Sequence, residues 1–329
     1  MLSQNQIFPA KLFSADFLRY YWITMRPYLL FVSGITGIVG LSFAPPRSLF
    51  TTTVLFLTFF LSYGFGQALT DCFQIDTDSL SSPYRPLTQG VISKKSVLKV
   101  SLIGIFIIGI ILTAHALINA LLATLATFGL ATYTYFKKRW WAGPFYNAWI
   151  VTLLCLIAYI AGRGTVNTRL NAEFCPVLLV VFFGYANFVL AGYFKDITAD
   201  CKTGYNTLPV IYGLKVSTLI SDIFALITIL LCGTVLYLFY LSDPFSFIHS
   251  YSGIIFLLGC TASLIAQIRL HKVQDETEAH RAISLVVHTY ILLLASVAIV
   301  QKPDWSLFII LFYLAFIMTM KFRPMKEQI

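Results

Sequence analysis

"GQALTDCFQIDTDSLSSPYRPLTQG", residues 66–90, runs off the end of an oily stretch. It places three aspartates within eight positions and then reaches the basic Tyr84-Arg85-Pro86-Leu87. The surrounding chain of 329 residues is 58% hydrophobic and only 11% charged, whereas soluble domains carry about 25% charged residues. Such a chain is an integral membrane protein, and acidic charge beside a membrane span calls for a compensating purpose.

A spanning helix needs about 20 mostly apolar residues. Ten stretches qualify: 20–43, 49–70, 96–114, 116–136, 143–162, 175–194, 217–241, 250–270, 281–300 and 304–321. They are too long for barrel strands of about ten alternating residues, so the fold class is all-α, a polytopic bundle of 9–10 transmembrane helices. The short connector Gln301-Lys302-Pro303 separates two spans or kinks a re-entrant pair. Residues 1–329 read as one transmembrane domain, with 1–19 a short cytoplasmic N-terminal segment that lacks a signal-peptide core.

Lysine and arginine favour the cytoplasmic ends of spans. Placing the N-terminus inside leaves only Arg47, Arg163, Arg169 and Lys302 of the 23 basic residues outside. The net charge of +9 is thereby explained by orientation beside an anionic leaflet and gives no support to nucleic-acid binding. The six cysteines form no CxxC pair, so they read as small apolar fillers rather than as a disulfide framework or a zinc site.

Two loops on the predicted cytoplasmic face stand apart. The first is the opening stretch; the second, "GYFKDITADCKTGYNTLPVIYG" at 192–213, carries Asp196, Asp200, Lys195 and Lys202. They follow the second and sixth spans, which suggests two similar four-helix units around a central cavity. If the second helix runs on through the opening stretch, Gln67, Asp71, Gln74 and Asp78 form one stripe at i, i+4, i+7 and i+11, with Asp76 pointing away. Asp196 and Asp200 likewise share a face.

Converging carboxylates repel unless cations lie between them, and hard oxygen ligands of this kind select Mg2+. Magnesium usually completes its shell with water and phosphate oxygens, while basic side chains take the remaining phosphate charge. The implied ligand is a diphosphate. Metal ligands would be drawn from Asp71, Gln74, Asp76, Asp78, Asp196 and Asp200, and diphosphate ligands from Arg85, Lys94, Lys195 and Lys202. The plainer alternative is a pair of polar loops that merely cap helices, punctuated by proline and glycine.

The motifs resemble those of the UbiA superfamily of intramembrane prenyltransferases. Its members usually carry Asn-Asp-x-x-Asp-x-x-x-Asp after the second span, often followed by Pro-Tyr-Arg-Pro, and Asp-x-x-x-Asp after the sixth. Anchored on Pro83-Tyr84-Arg85-Pro86, the first motif falls on Thr70, Asp71, Gln74 and Asp78, and the second on Asp196 and Asp200. Thr70 and Gln74 depart from the pattern, with Asp76 a displaced substitute if the helix unwinds. The spacing of Arg85 after Asp78 is similar to the chlorophyll-synthase and homogentisate branch.

The resemblance implies an enzyme that uses Mg2+ to transfer an isoprenoid chain from a prenyl diphosphate to a small acceptor within the bilayer. That acceptor is expected to be aromatic or a quinone precursor, and pyrophosphate is released. Asp71, Asp78, Asp196 and Asp200 are the implied catalytic groups. Tyr63, Phe65, Tyr146, Asn147, Tyr185, Asn187 and Tyr193 lie near the same half of their helices. Two other readings stand beside transfer: a terpene cyclase, which needs no acceptor, and a secondary transporter.

Asp222 and His288 are ionisable groups within apolar stretches and are candidates on that ground alone. The charged stretch 269–281, with Asp275, Glu276 and His280 as conceivable metal ligands, reads as a solvated connection.

Overall fold

The computed structural model describes residues 9–46, 48–164, 170–240 and 250–323. Arg47 and Arg169, which the charge pattern leaves on the outer face, lie outside them, as do residues 1–8 and the end of the 217–241 stretch. The described residues form helices and short 3-10 turns, with no strand among them. In chain order the helices are α1 (Ala15–Thr24), α2 (Leu30–Phe43), α3 (Leu49–Asp71), α4 (Ile75–Ser81), α5 (Lys94–His115), α6 (Ile118–Arg139) and α7 (Gly143–Arg163). They continue as α8 (Phe174–Tyr193), α9 (Ile197–Lys202), α10 (Leu208–Phe239), α11 (Tyr251–His271), α12 (Ala279–Gln301) and α13 (Ser306–Lys321).

Eight of the described helices are long and apolar enough to span a bilayer, and the bent pair formed by α1 and the Pro27–Phe43 segment makes up to nine. α6 has a span's length at 22 residues, but its threonines and tyrosines leave it outside that set. The chain is a multi-pass integral membrane protein. Burial sorts the helices: α12 sits centrally, with 78% of its apolar window buried, whereas α5 and α13 bury 22% of theirs. Large apolar side chains such as Phe106, Phe128, Leu230, Leu264 and Leu307 are exposed on the outer helices, where lipid rather than water is the natural neighbour.

Four departures from the expected helices shape the interior. The 20–43 stretch is not one helix: it bends by 46° at Arg26, whose φ of 52° is left-handed. Pro27 disfavours α geometry in the residue before it, so α1 stops there. The second helix does not run on through the opening stretch either. It ends at Asp71, its last turn tightened by Phe73 N donating to the Thr70 carbonyl at 2.9 Å, and restarts as the short α4. The segment at Asp196 likewise forms a separate short helix, α9. Finally α10 begins at Leu208, earlier than expected, because Gly213 with φ 77° joins an additional turn to the span.

Helices α2 and α7 run side by side and nearly touch at their C-terminal ends. A Cβ on Gly162 would lie 1.9 Å from the Ala44 carbonyl oxygen, and one on Gly40 would lie 2.4 Å from that of Cys155. Glycine here permits close backbone approach, as is usual at helix crossings in membranes. Toward their N-terminal ends the same helices line a cavity.

Candidate active site

The cavity, about 200 Å³, is enclosed by helices α2, α3, α6, α7 and α8 and by the segments after α3 and α8. Its polar end gathers Arg26, Gln67, Asp71, Gln74, Asp78, Arg85, Lys137, Lys195 and Asp196. Apolar walls come from Leu29, Val32, Leu130, Ile150, Val151 and Leu154, with Tyr63, Tyr133, Tyr185 and Tyr193 between the two regions. A wider groove of about 870 Å³ between α5 and α6 has mostly apolar walls and shares Ser62, Ala126, Leu130 and Leu154 with it as lining residues.

Each acidic group of the opening stretch meets a cation. Asp71 is held by Arg26 Nη2, at 2.9 and 3.0 Å to its two oxygens, and by Gln67 Nε2 at 2.6 Å. Asp78 pairs with Arg85 at 2.5 Å, both side chains nearly buried. Burial pushes the Asp78 carboxyl above the usual carboxylate range despite Arg85, and neighbouring Asp71 adds to the rise. Burial opposes the Arg85 charge, but Asp78, Asp71 and Asp196 outweigh it and hold the guanidinium protonated.

Gln67, Asp71, Gln74 and Asp78, the expected stripe, all line the cavity although the helix between them breaks. Asp76 does not. Nearly half exposed, it accepts from Lys138 Nζ at 3.2 Å and from the Tyr205 hydroxyl at 3.1 Å. Burial works against its charge, but the Thr77 amide, Lys138 and Tyr205 outweigh that and lower its pKa. Unwinding therefore does not turn Asp76 into the missing middle carboxylate; Gln74 occupies that place and donates to Thr134 Oγ1 at 3.2 Å.

The second cluster divides in the same way. Asp196 lines the cavity, and its Oδ1 is buried without a hydrogen-bond partner. Asp200 is fully buried beneath, accepting from Thr77 Oγ1 at 3.1 Å, Thr207 Oγ1 at 3.2 Å and Lys137 Nζ at 3.4 Å. Burial raises its pKa, with Lys137 opposing the rise. The Thr77–Asp200 and Tyr205–Asp76 bonds tie α4 and α9 together, so the two loops meet as the sequence predicts.

Of the expected phosphate ligands, Arg85 and Lys195 line the cavity. Burial holds the Lys195 ammonium down at about 8, with Asp196 pulling it up and Arg85 and Arg26 pushing it down. Lys94 is exposed and lies over the Phe73 ring at 5.5 Å; Lys202 is exposed and off the cavity. Two cations that the charge pattern marked only for orientation line the cavity as well: Arg26 at the helix bend and Lys137, 5.0 Å above the rings of Tyr193 and Tyr205. The position of Arg26 directly before Pro27 and the run Lys137-Lys138-Arg139 were the available signals.

The acidic groups do not converge as closely as expected: among the described residues no three histidine, cysteine or acidic side chains gather as a metal cluster. The other candidates resolve as structural pairs. Asp222 bonds His271 at 2.7 Å, and His288 bonds the Tyr313 hydroxyl at 2.8 Å.

The family model of UbiA prenyltransferases matches residues 31–287, a range that includes both aspartate segments. The chain belongs to the UbiA prenyltransferase family. It is therefore an intramembrane prenyltransferase, which sets aside the transporter reading.

Curated relatives of this UbiA-family chain include the digeranylgeranylglyceryl phosphate synthase of Methanococcoides burtonii, 30% identical over 255 residues, covering 74% of this chain and 89% of the relative. The protein of the same name from Pyrococcus abyssi is 28% identical over 211 residues, covering 63% and 73%. Among solved structures, a UbiA homolog from Aeropyrum pernix K1 superposes with a TM-score of 0.65 at 15% identity, covering 81% of this chain and 95% of its own. A UbiA homolog from Archaeoglobus fulgidus bound to GPP and Mg2+ gives 0.59 at 18% identity, covering 84% and 99%. The names of these relatives do not support the aromatic or quinone-precursor acceptor expected from the family resemblance.

Proposed function

We propose that this UbiA-family enzyme transfers an isoprenoid chain from a prenyl diphosphate to the hydroxyl of a glycerophosphate-type acceptor. The observation that carries this reading is the buried, unpartnered Oδ1 of Asp196, a residue that lines the cavity together with Asp71, Gln74 and Asp78 and with Arg26, Arg85, Lys137 and Lys195. The preference for a glycerophosphate acceptor over an aromatic one rests on the names of the curated relatives.

The donor set fits Mg2+. All the candidate donors are oxygens, and magnesium is typically held by one or two carboxylates together with substrate phosphates, so a closed protein cage is not required. Asp196 would hold it, with Asp78, Asp71 and Gln74 as the other donors; when bound, it neutralises charge on the departing pyrophosphate. Arg26, Arg85, Lys137 and Lys195 bind and orient the remaining phosphate oxygens.

The allylic C–O bond breaks with both electrons going to pyrophosphate. The acceptor oxygen forms the new C–O bond and gives up its proton to the departing pyrophosphate. Tyr63, Tyr133, Tyr185 and Tyr193 offer ring faces to the developing allylic cation, and the apolar walls exclude water that would quench it. The isoprenoid tail runs into the groove between α5 and α6. The charge pattern supports a cytoplasmic orientation for this end of the bundle.

The test is pyrophosphate release from geranylgeranyl diphosphate and Mg2+ by purified protein. Release that depends on a glycerophosphate lipid supports the reading. Release that depends on an aromatic acceptor refutes the acceptor assignment, release without an acceptor points to cyclisation, and silence under all conditions refutes the whole proposal.

A further inference from the structure

We propose that Glu276, in the loop between α11 and α12, is a positioning residue that keeps the Asp196 carboxylate turned into the cavity by capping α9 in its place. The inference rests on the reading of Asp196 as a metal and diphosphate ligand.

An aspartate directly before a helix ordinarily accepts a hydrogen bond from the second or third amide of that helix. Asp196 stands in that position before α9 and makes no such bond. Its Oδ1 is buried and has no partner, and the residue lines the cavity. The second amide of α9, that of Thr198, donates instead to Glu276 Oε1 at 2.7 Å, across 78 positions of sequence. The same oxygen accepts the Thr198 hydroxyl.

Glu276 is presented by its own local structure. It opens the 3-10 turn Glu276–Glu278, which Asp275 caps by accepting from the Thr277 amide at 2.9 Å. The stretch read in the sequence as a solvated connection thus docks on the segment that carries the second motif. One carboxylate does the capping, and the other is left to face the ligand.

Removing Glu276 would leave the Thr198 amide as an orphan donor two residues from Asp196. The Asp196 carboxylate, swung back in the usual N-cap arrangement, then competes with water to satisfy it. That swing would withdraw the cavity's unpartnered oxygen. Glutamine at 276 keeps an Oε1 acceptor and preserves the arrangement; alanine does not.

The experiment measures Mn2+ binding by electron paramagnetic resonance, on the purified full chain with inorganic pyrophosphate. It compares wild type, Glu276→Ala, Glu276→Gln, Asp196→Asn and the double variant Asp196→Asn/Glu276→Ala. Glu276→Ala is expected to weaken Mn2+ binding by about fivefold, the worth of one helix cap, and Glu276→Gln to restore most of the affinity. In the Asp196→Asn background the alanine change should add nothing.

An equal loss in both backgrounds would make Glu276 a structural anchor and overturn the proposal, as would wild-type affinity in Glu276→Ala. If Asp196→Asn itself binds Mn2+ as wild type does, the assignment of Asp196 to the metal site fails and the proposal falls with it. Glu276→Asp, one methylene too short but still charged and polar, serves the same cycle where the alanine variant does not fold, with the same expected and overturning results.

Discussion

Lys137→Met strands a buried charge. Asp200 has no exposed surface, and among the described residues the cation paired with it is Lys137, itself 4% exposed, at 3.4 Å; the other partners are the hydroxyls of Thr77 and Thr207. Methionine keeps the length of the side chain and removes the ammonium. Breaking one side of a buried ion pair costs about 3–5 kcal/mol, whereas replacing both partners by neutral groups is often close to harmless. Lys137→Met should therefore be markedly destabilised at neutral pH, and Lys137→Met/Asp200→Asn should recover most of the loss.

Acidity supplies an independent check. Burial already raises the Asp200 pKa and Lys137 opposes that rise, so the variant raises it further. A group whose pKa is higher in the folded than in the unfolded protein favours folding at low pH, and that contribution is lost as pH rises through the folded value. The deficit of Lys137→Met relative to wild type should thus be largest at neutral pH and shrink in acid. The assay is the fraction of monodisperse protein left after heating in detergent, at neutral and mildly acidic pH. Wild-type stability of the single variant at neutral pH, or a double variant as unstable as the single, would refute the reasoning.

Asp196→Asn and Asp78→Asn should each lower kcat by about 10²–10³; Asp196→Asn should leave thermal stability near wild type, whereas Asp78→Asn, which strands the buried Arg85 guanidinium, should also lower it. Asp76→Asn, which loses only a surface pair worth at most about 1 kcal/mol, should stay within a few-fold; steady-state pyrophosphate release checks all three. The Lys195 ammonium titrates at about 8, so kcat/KM for the prenyl diphosphate should fall as pH rises past that value and the charge is lost, and Lys195→Met should abolish that limb of the profile. Gly162→Ala forces a methyl against the Ala44 carbonyl and should destabilise the protein by about 1–3 kcal/mol, as overpacking does, measured as a lower midpoint of heat inactivation.

What the sequence disclosed follows from periodicity and charge. The stripe Gln67, Asp71, Gln74 and Asp78 faces one cavity, and the two loops do meet. The helix break at Asp71 was not legible, because nothing in Cys72-Phe73-Gln74 forbids helix; the stripe nevertheless kept its facing across the break. Arg26 and Lys137 were read as topology because a cation at the end of a span satisfies the positive-inside pattern whether it faces headgroups or a buried carboxylate. Their partners lie 45 and 63 positions away, a separation that no local pattern encodes. Lys94 and Lys202 were over-assigned for the converse reason: proximity in sequence to an aspartate does not fix the side of the helix on which a lysine lies.

The glycine contact between α2 and α7 makes the pair a V, pinched near Gly40 and Gly162 and open where Leu29, Val32, Ile150 and Val151 line the cavity. A V transmits displacement along its arms. Widening the apex by the thickness of a methyl tilts both arms and alters the gap at the mouth, with no lining residue changed. Substitutions at Gly40 and Gly162 are therefore expected to change prenyl-chain preference from outside the cavity, and a screen that samples only cavity-lining positions would pass over them.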